Sequence, residues 1–443
     1  MYSKPLEKAL RKKKIDVEDE IKVTKEKDVY IGTVMPKSEV SDPNVLLIKL
    51  ENGYNIGIEY NSKLKLEKLG TKPKVEKFAT RALAFDPKKQ TIMILHTGGT
   101  IASRVDYKTG GVSPAVTPEE FLAMFPELLK VANIKSRMVM NIASEDIDTM
   151  KYGYLAKEVE RDIKLGLDGI IIGHGTDTLH YSSAMLSFML QNLSVPVVLV
   201  GAQRSSDRGS SDAALNLMCA VNFITKTDFA GVAVCMHENP SDDSCLILPA
   251  TKVRKMHTSR RDAFKPINAS PVARVESNGS VTMLSKNYLV KDKKRVPNVN
   301  VNIEPKVAIV KTYPGSDPAV LDFYSKNGFR GIVIEGTGLG HVPTSTEDPK
   351  KSWIPAIKSV VKNGVTVVIT SQTINGATSA SVYKNLRLLA DTGVIFAEDM
   401  TTETAFAKLS WILGSTKDIA KVKELFLTNM AGEISKRREL KQF

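Results

Sequence analysis

The sequence predicts an α/β protein in which two doubly wound parallel-sheet domains follow a small all-β barrel. Three observations carry that expectation. Residues 17 to about 70 hold the short stretches EIKVT, VYIGTVM, NVLLIKL, NIGIEY and KLKLEKL, whose alternation is the pattern of half-buried strands. From Thr91 the apolar runs become continuous, as in TIMILH, RMVMNIA, GIIIG, VPVVLVG and GVAVCM, which is what strands covered on both faces require. Between those runs lie stretches of helical periodicity such as YLAKEVERDIKLG and SDAALNLMCAVNFI, so strand and helix alternate as they do in crossover-connected sheets.

The elements follow in order. A barrel is expected over 1–75, with a basic N-terminal segment and an Asn52-Gly53 hairpin signal between its third and fourth strands. Five short strands gain most by closing their own edges. The charged stretch over 76–90 reads as a linker. The first α/β domain is expected over 91–290 and the second over 305–443, where KVAIVKTYPG, GIVIEGTG and VTVVITSQ are the strands. Helices are expected around Ala319 to Ser325, Trp353 to Val361 and Ala380 to Leu389. The polar, Asn- and Pro-bearing chain between the domains reads as a connection.

Composition narrows the class. A chain of 443 residues exceeds what one core usually serves. With 42% hydrophobic residues it is not a disordered chain, and no apolar run is long enough to span a bilayer. The N-terminus, MYSKPLEKALRKKK, is basic without a secretory apolar core, so a cytoplasmic protein with no membrane association is expected. Cys219, Cys235 and Cys245 are too widely spaced for a CxxC site and read as buried thiols. The six histidines show no paired-ligand spacing, so no metal is expected. The net charge of +13 points toward a polyanionic partner or serves solubility alone.

Ligands of open parallel sheets bind beyond the carboxyl ends of the strands. Three polar turns fall there: TGGTIA (Thr97 to Ala102), ASED (Ala143 to Asp146) and HGTDT (His174 to Thr178). Neither a GxxxxGK[ST] nor a GxGxxG fingerprint follows the first strand, so nucleotide binding is the weaker reading of its glycines. What remains is a site of two threonines, Thr100 and Thr176, with Asp177 beside the second. Thr176, Asp177 and Thr178 are also good helix-start residues, so a cap is the competing reading of that turn. A hydroxyl becomes a nucleophile when a base removes its proton, and a lysine can serve where its surroundings disfavour the ammonium form.

These residues carry a resemblance. TGGTIA and HGTDT, at the ends of the first and third strands, resemble the paired signatures of the bacterial-type asparaginase family, amidohydrolases of asparagine or glutamine. The likeness continues through GAQRSSDRGSSDAALNL and KMHTSRRDAFKP and covers about Thr91 to the C-terminus. The resemblance implies Thr100 as primary nucleophile, Thr176 with Asp177 as the second catalytic pair, and Lys255 as the base acting on Thr176. It implies Ser144 and Glu145 as substrate-carboxylate and amine contacts, with Glu145 standing where the family often has Gln. It further implies Tyr107 as the lid tyrosine, Gly99 and Gly175 in the substrate site, and backbone N–H groups of the two glycine turns as the oxyanion hole.

A small β-module ahead of an asparaginase-like pair, on a basic chain, is similar to the D-subunit family of archaeal-type glutamyl-tRNA(Gln) amidotransferases. That resemblance implies release of ammonia from glutamine or asparagine for the amidotransferase E-subunit, which converts Glu-tRNA(Gln) using ATP and Mg. It implies a homodimer within a heterotetramer, with the site completed through SQTINGAT (Ser371 to Thr378) of a neighbouring protomer, and no cofactor bound by this chain. The competing readings are a free-standing cytoplasmic asparaginase and an RNA-binding barrel on a catalytically silent scaffold. The barrel segment lacks the aromatic face that stacking on single strands would use.

Overall fold

The computed structural model describes residues 2–17, 19–35, 42–50, 55–71, 85–99, 103–105, 112–114, 124–205 and 211–436. Its first module begins with a helix, α1 (Lys4–Lys12), that the charge-rich N-terminus had concealed. Pro5 suits the first turn, and Leu6 and Leu10, one helical turn apart, enter the module's core. The strands β1 (Asp19–Lys25), β2 (Asp28–Val34), β3 (Val45–Leu50), β4 (Asn55–Glu59) and β5 (Lys65–Thr71) pair antiparallel in the order β4-β3-β2-β1-β5. Ile21, Val23, Val34, Leu46, Ile48 and Leu66 meet the two helix leucines in that core.

The expected small β-module ahead of the α/β domains is thus a five-stranded antiparallel sheet, with α1 packed on its apolar face. Among the described residues no ladder joins β4 to β5.

The first α/β domain is built on β6 (Thr91–His96), β7 (Asn133–Met138), α2 (Thr149–Lys164), β8 (Gly169–Gly173), α3 (Leu179–Met189), β9 (Pro196–Val200), α4 (Ala213–Lys226) and β10 (Phe229–His237). These strands run parallel in the order β7-β6-β8-β9-β10. The sheet then continues antiparallel through β11 (Ser244–Pro249), β14 (Ala273–Glu276) and β15 (Val281–Met283). Between them β12 (Val253–Lys255) and β13 (Phe264–Pro266) form a separate hairpin. The sheet is therefore mixed rather than wholly parallel, because the tight HENPSDDS loop returns the chain beside β10 without a crossover helix.

One strand is displaced from its expected place. β7 is NIKSRM, upstream of most of the apolar run RMVMNIA. The side chain of Asn133 donates to the carbonyls of Asp86 and Lys89 at 2.8 and 3.0 Å and fixes its start. The residues after Met138 leave the sheet and lead into the ASED turn.

The second α/β domain comprises β16 (Val307–Lys311), α5 (Ala319–Lys326), β17 (Gly331–Gly336), α6 (Trp353–Lys362), β18 (Thr366–Ser371), α7 (Lys384–Ala390), β19 (Ile395–Phe396), α8 (Thr402–Ser415) and α9 (Ile419–Leu427). Its strands are parallel in the order β16-β17-β18-β19. Helix α8 is buried on nearly every side and shares one core with α3, where the rings of Phe188 and Trp411 stack at 6.2 Å. Cys219, Cys235 and Cys245 are buried thiols.

The fully buried Leu6 tests the packing of α1. Leu6→Ala is expected to cost about 2–5 kcal/mol in the first module. Urea denaturation checks this, and an unchanged midpoint would place α1 outside the core.

Candidate active site

The site forms where β6 and β8, side by side, reach their carboxyl ends. Thr97 starts the first turn, and its N–H and hydroxyl both donate to the Gly173 carbonyl, at 3.0 and 3.1 Å. Gly98 and Gly99 follow with φ of 106° and 74°, which side-chain-bearing residues rarely adopt. A Cβ on Gly98 would lie 2.4 Å from the Ile142 carbonyl oxygen, and one on Gly99 would lie 2.5 Å from the Gly175 nitrogen. A Cβ on Gly175 would lie 2.7 Å from Cβ of Ser144. Gly98 and Gly99 thus meet neighbouring backbone directly and Gly175 meets the Ser144 side chain, approaches that a side chain in place of any of these glycines would block.

Within HGTDT, Thr178 occupies the position ahead of α3, but its hydroxyl does not cap the helix. It donates instead to the Ser144 carbonyl at 2.7 Å, tying this turn to ASED. Thr176 is buried, and its methyl group packs where a side chain on Gly201 would collide, at 2.7 Å. Lys255, the last residue of β12, places Nζ 2.8 Å from Thr176 Oγ1 and 2.7 Å from Asp177 Oδ1. The lysine side chain is only 10% exposed whereas that of Asp177 is 66% exposed, so the pair points from the interior toward an open face.

Of the residues expected at the site, Gly99, Ser144, Gly175, Thr176, Asp177 and Lys255 are brought together by these contacts. Ser144 is buried and Glu145 exposed, both in the short turn Ser144–Asp146. Thr100 and Tyr107 lie outside the described residues. The loop carrying GAQR is organised by Asp212, whose buried carboxylate accepts the N–H groups of Gln203 and Arg204 at 3.0 and 3.1 Å.

Several contributors escaped sequence reasoning. His174 is fully buried, with Nδ1 2.7 Å from the Gly175 carbonyl and Nε2 2.8 Å from Ser182 Oγ. Burial pushes its imidazole down to about 4, so it is a neutral brace for the turn. His180 is driven down to about 3, first by burial and then by the positive charges of Arg254 and Lys255. Arg254 Nε lies 3.0 Å from Glu403 Oε1. His174 was visible inside the quoted motif, but TTETAF carries no signal for Glu403. A polar cleft flanks the site, lined in part by Arg254, Ser371, Thr373, Thr378 and Thr402, and it does not include Thr176.

Among the described residues, no group of three or more His, Cys, Asp or Glu is placed to hold a metal ion. No helix among them is long and apolar enough to cross a membrane.

Residues 91–288 match the family model for the asparaginase N-terminal domain, and residues 306–426 match that for the glutaminase/asparaginase C-terminal domain. The solved thermostable L-asparaginase from Thermococcus kodakarensis is 31% identical, with a TM-score of 0.69 over 79% of this chain and 100% of that one. Fold and site together define an asparaginase-type enzyme. Residues 15–69 match the GatD N-terminal domain. The glutamyl-tRNA(Gln) amidotransferase D-subunit of Pyrococcus furiosus is 47% identical over 97% of each chain, and that of Pyrococcus abyssi 46% identical over 96% of each. The chain belongs to the family of glutamyl-tRNA(Gln) amidotransferase D-subunits.

The depressed histidine has a consequence for stability. Since the folded pKa of about 4 lies below the ordinary 6.5, the unfolded chain binds the extra proton between those values. His174 therefore contributes stability that is whole above about pH 6.5 and is lost as pH falls toward 4, at up to about 1.4 kcal/mol per pH unit. Denaturation at pH 7 and pH 5 is expected to show a shallower loss for His174→Gln than for the wild type, and equal slopes would refute the assignment.

Proposed function

We propose that this chain is the glutaminase-type subunit of a tRNA-dependent amidotransferase. It hydrolyses the side-chain amide of glutamine, or of asparagine, and delivers ammonia to the amidotransferase E-subunit, where Glu-tRNA(Gln) becomes Gln-tRNA(Gln) with consumption of ATP in the presence of Mg. The observation that carries the chemistry is Lys255 Nζ held 2.8 Å from Thr176 Oγ1 and 2.7 Å from Asp177. The match of residues 15–69 to the GatD N-terminal domain favours the amidotransferase over a free-standing asparaginase.

The amino acid's carboxylate and amine bind at Ser144, Glu145 and Asp177. Thr100 attacks the amide carbon, and backbone N–H groups of the turns around Gly99 and Gly175 hold the oxyanion. The C–N bond breaks as the leaving nitrogen takes the proton given up by the Thr100 hydroxyl and departs as ammonia. Water, activated through Thr176 and Lys255, then cleaves the acyl-threonine ester and frees the acid. Tyr107 closes over the substrate. Lys255 serves as the base for the Thr176 proton, a general-base contribution of typically about 10²–10⁴ in rate. The chain binds no cofactor of its own, acts in the cytoplasm, and pairs as a homodimer within a heterotetramer, with Ser371 to Thr378 near the shared site.

Lys255→Met is expected to lower kcat for ammonia release by about 10²–10⁴-fold with folding retained, and Thr176→Val to leave no measurable turnover. Coupled ammonia assays check both, and wild-type turnover in either variant would remove that residue from the chemistry. Ammonia release should be weak for the chain alone and strongly stimulated by the E-subunit with Glu-tRNA(Gln) and ATP. Vigorous asparagine hydrolysis indifferent to them would identify a free-standing asparaginase instead.

A further inference from the structure

We infer that Lys252 and Arg254 are positioning residues for Lys255, holding the strand that carries it against the second α/β domain through two ion pairs. The inference rests on the amidohydrolase role of Lys255 proposed above. β12 is three residues long and, among the described residues, its ladder is with β13 alone; a hairpin of this size is marginal without further support. The support comes from the second domain. Lys252, only 2% exposed, pairs through Nζ with the Asp399 carboxylate and donates to Ser435 Oγ at 2.9 Å. Asp399 in turn accepts the Ser435 N–H at 3.0 Å, and its own carbonyl accepts from Asn268 Nδ2 at 3.0 Å. The carbonyl of Thr251, one residue earlier, accepts from Thr404 Oγ1 at 2.8 Å, and its hydroxyl donates to the Ala431 carbonyl at 3.0 Å.

Arg254 makes the second pair, to Glu403 in the first turn of α8. The same Glu403 oxygen lies 3.8 Å from Nε2 of His180, which stands on α3 just beyond the Thr176–Thr178 turn. One carboxylate therefore touches the residue before the base and the helix that follows its hydroxyl partner, and so sets the spacing between Lys255 and Thr176. Side chains alternate along an extended strand, so Arg254 turns to the second domain while Lys255 crosses to the catalytic turn, and Lys252, in the bend just before β12, also pairs with the second domain. A lysine ends in a flexible four-carbon stem, and a fixed backbone origin confines where Nζ can reach.

The test uses the full chain in complex with its partner subunit. Arg254→Met and Glu403→Gln are each expected to lower kcat for ammonia release by about 10–100-fold, the usual penalty for an ångström of misplacement, while KM for glutamine changes less than about threefold. The double variant should lose no more than the worse single, because both remove one unit, and Arg254→Lys should recover part of the rate. Losses that multiply, a rise in KM alone, or unchanged kcat in an active enzyme would overturn the inference. If Glu403→Gln does not fold, Lys252→Met with Asp399→Asn removes the other pair as a neutral set and should give the same split. Crystal structures of these variants separate this inference from the proposed function. Should the wild type release no ammonia, the function falls, whereas the clamp stands if Nζ leaves its 2.8 Å contact with Thr176 and falls if that contact persists.

Discussion

The site depends on the close approach that bare glycines allow at the carboxyl edge of β6 and β8. Gly98 against Ile142, Gly99 against Gly175, and Gly175 against Ser144 each leave less room than a methyl group needs. Two of these glycines also take positive φ. Because the turns touch directly, a hydroxyl or N–H on one has a fixed relation to those on the others, and preorganised dipoles are what oxyanion chemistry requires. Everything else around the site supports that junction: Thr97 bonded to Gly173, Thr178 bonded to Ser144, and His174 braced by Ser182.

A second layer of support is ionic and comes from a distance in sequence. Lys252 with Asp399 and Lys408 with Glu433 are buried pairs, and the carbonyls of Phe426 and Thr428 further satisfy Lys408. Buried pairs add little net stability compared with apolar packing, but breaking one leaves a costly unpaired charge. Lys252–Asp399, which joins the two domains, therefore favours one arrangement of them, whereas Lys408–Glu433 ties the C-terminal segment to α8 within the second domain. The shared core of α3 and α8 supplies the packing energy and the interdomain pair supplies the register.

The appended module shows how local and global reasoning part. Its strands were legible because β-branched residues alternate with polar ones, and the parallel strands β6, β8, β9 and β10 because their runs are apolar throughout. Helix α1 was not, since Leu6 and Leu10 stand among lysines and arginines and become a signal only when a sheet waits to cover them. The same limit hid the antiparallel half of the large sheet, because SCLILP is equally a strand of either direction until its neighbour is known. RMVMNIA misled for a related reason: its apolar residues pack at the end of the sheet while the ladder belongs to NIKSRM.

By itself the sequence determined the class of fold, the three modules and the identity of the catalytic candidates, because periodicity, glycine placement and motif residues are local properties of the chain. TGGT and HGTDT could be assigned to one crevice from strand order alone. Tertiary structure decided what those residues touch. That Lys255 reaches Thr176 across 79 positions, that Thr178 bonds Ser144 instead of capping its helix, and that Glu403 stands behind Arg254 are contacts between remote segments. No local pattern encodes such distances, since they follow from how the two sheets pack and from which charges that packing leaves to be paired.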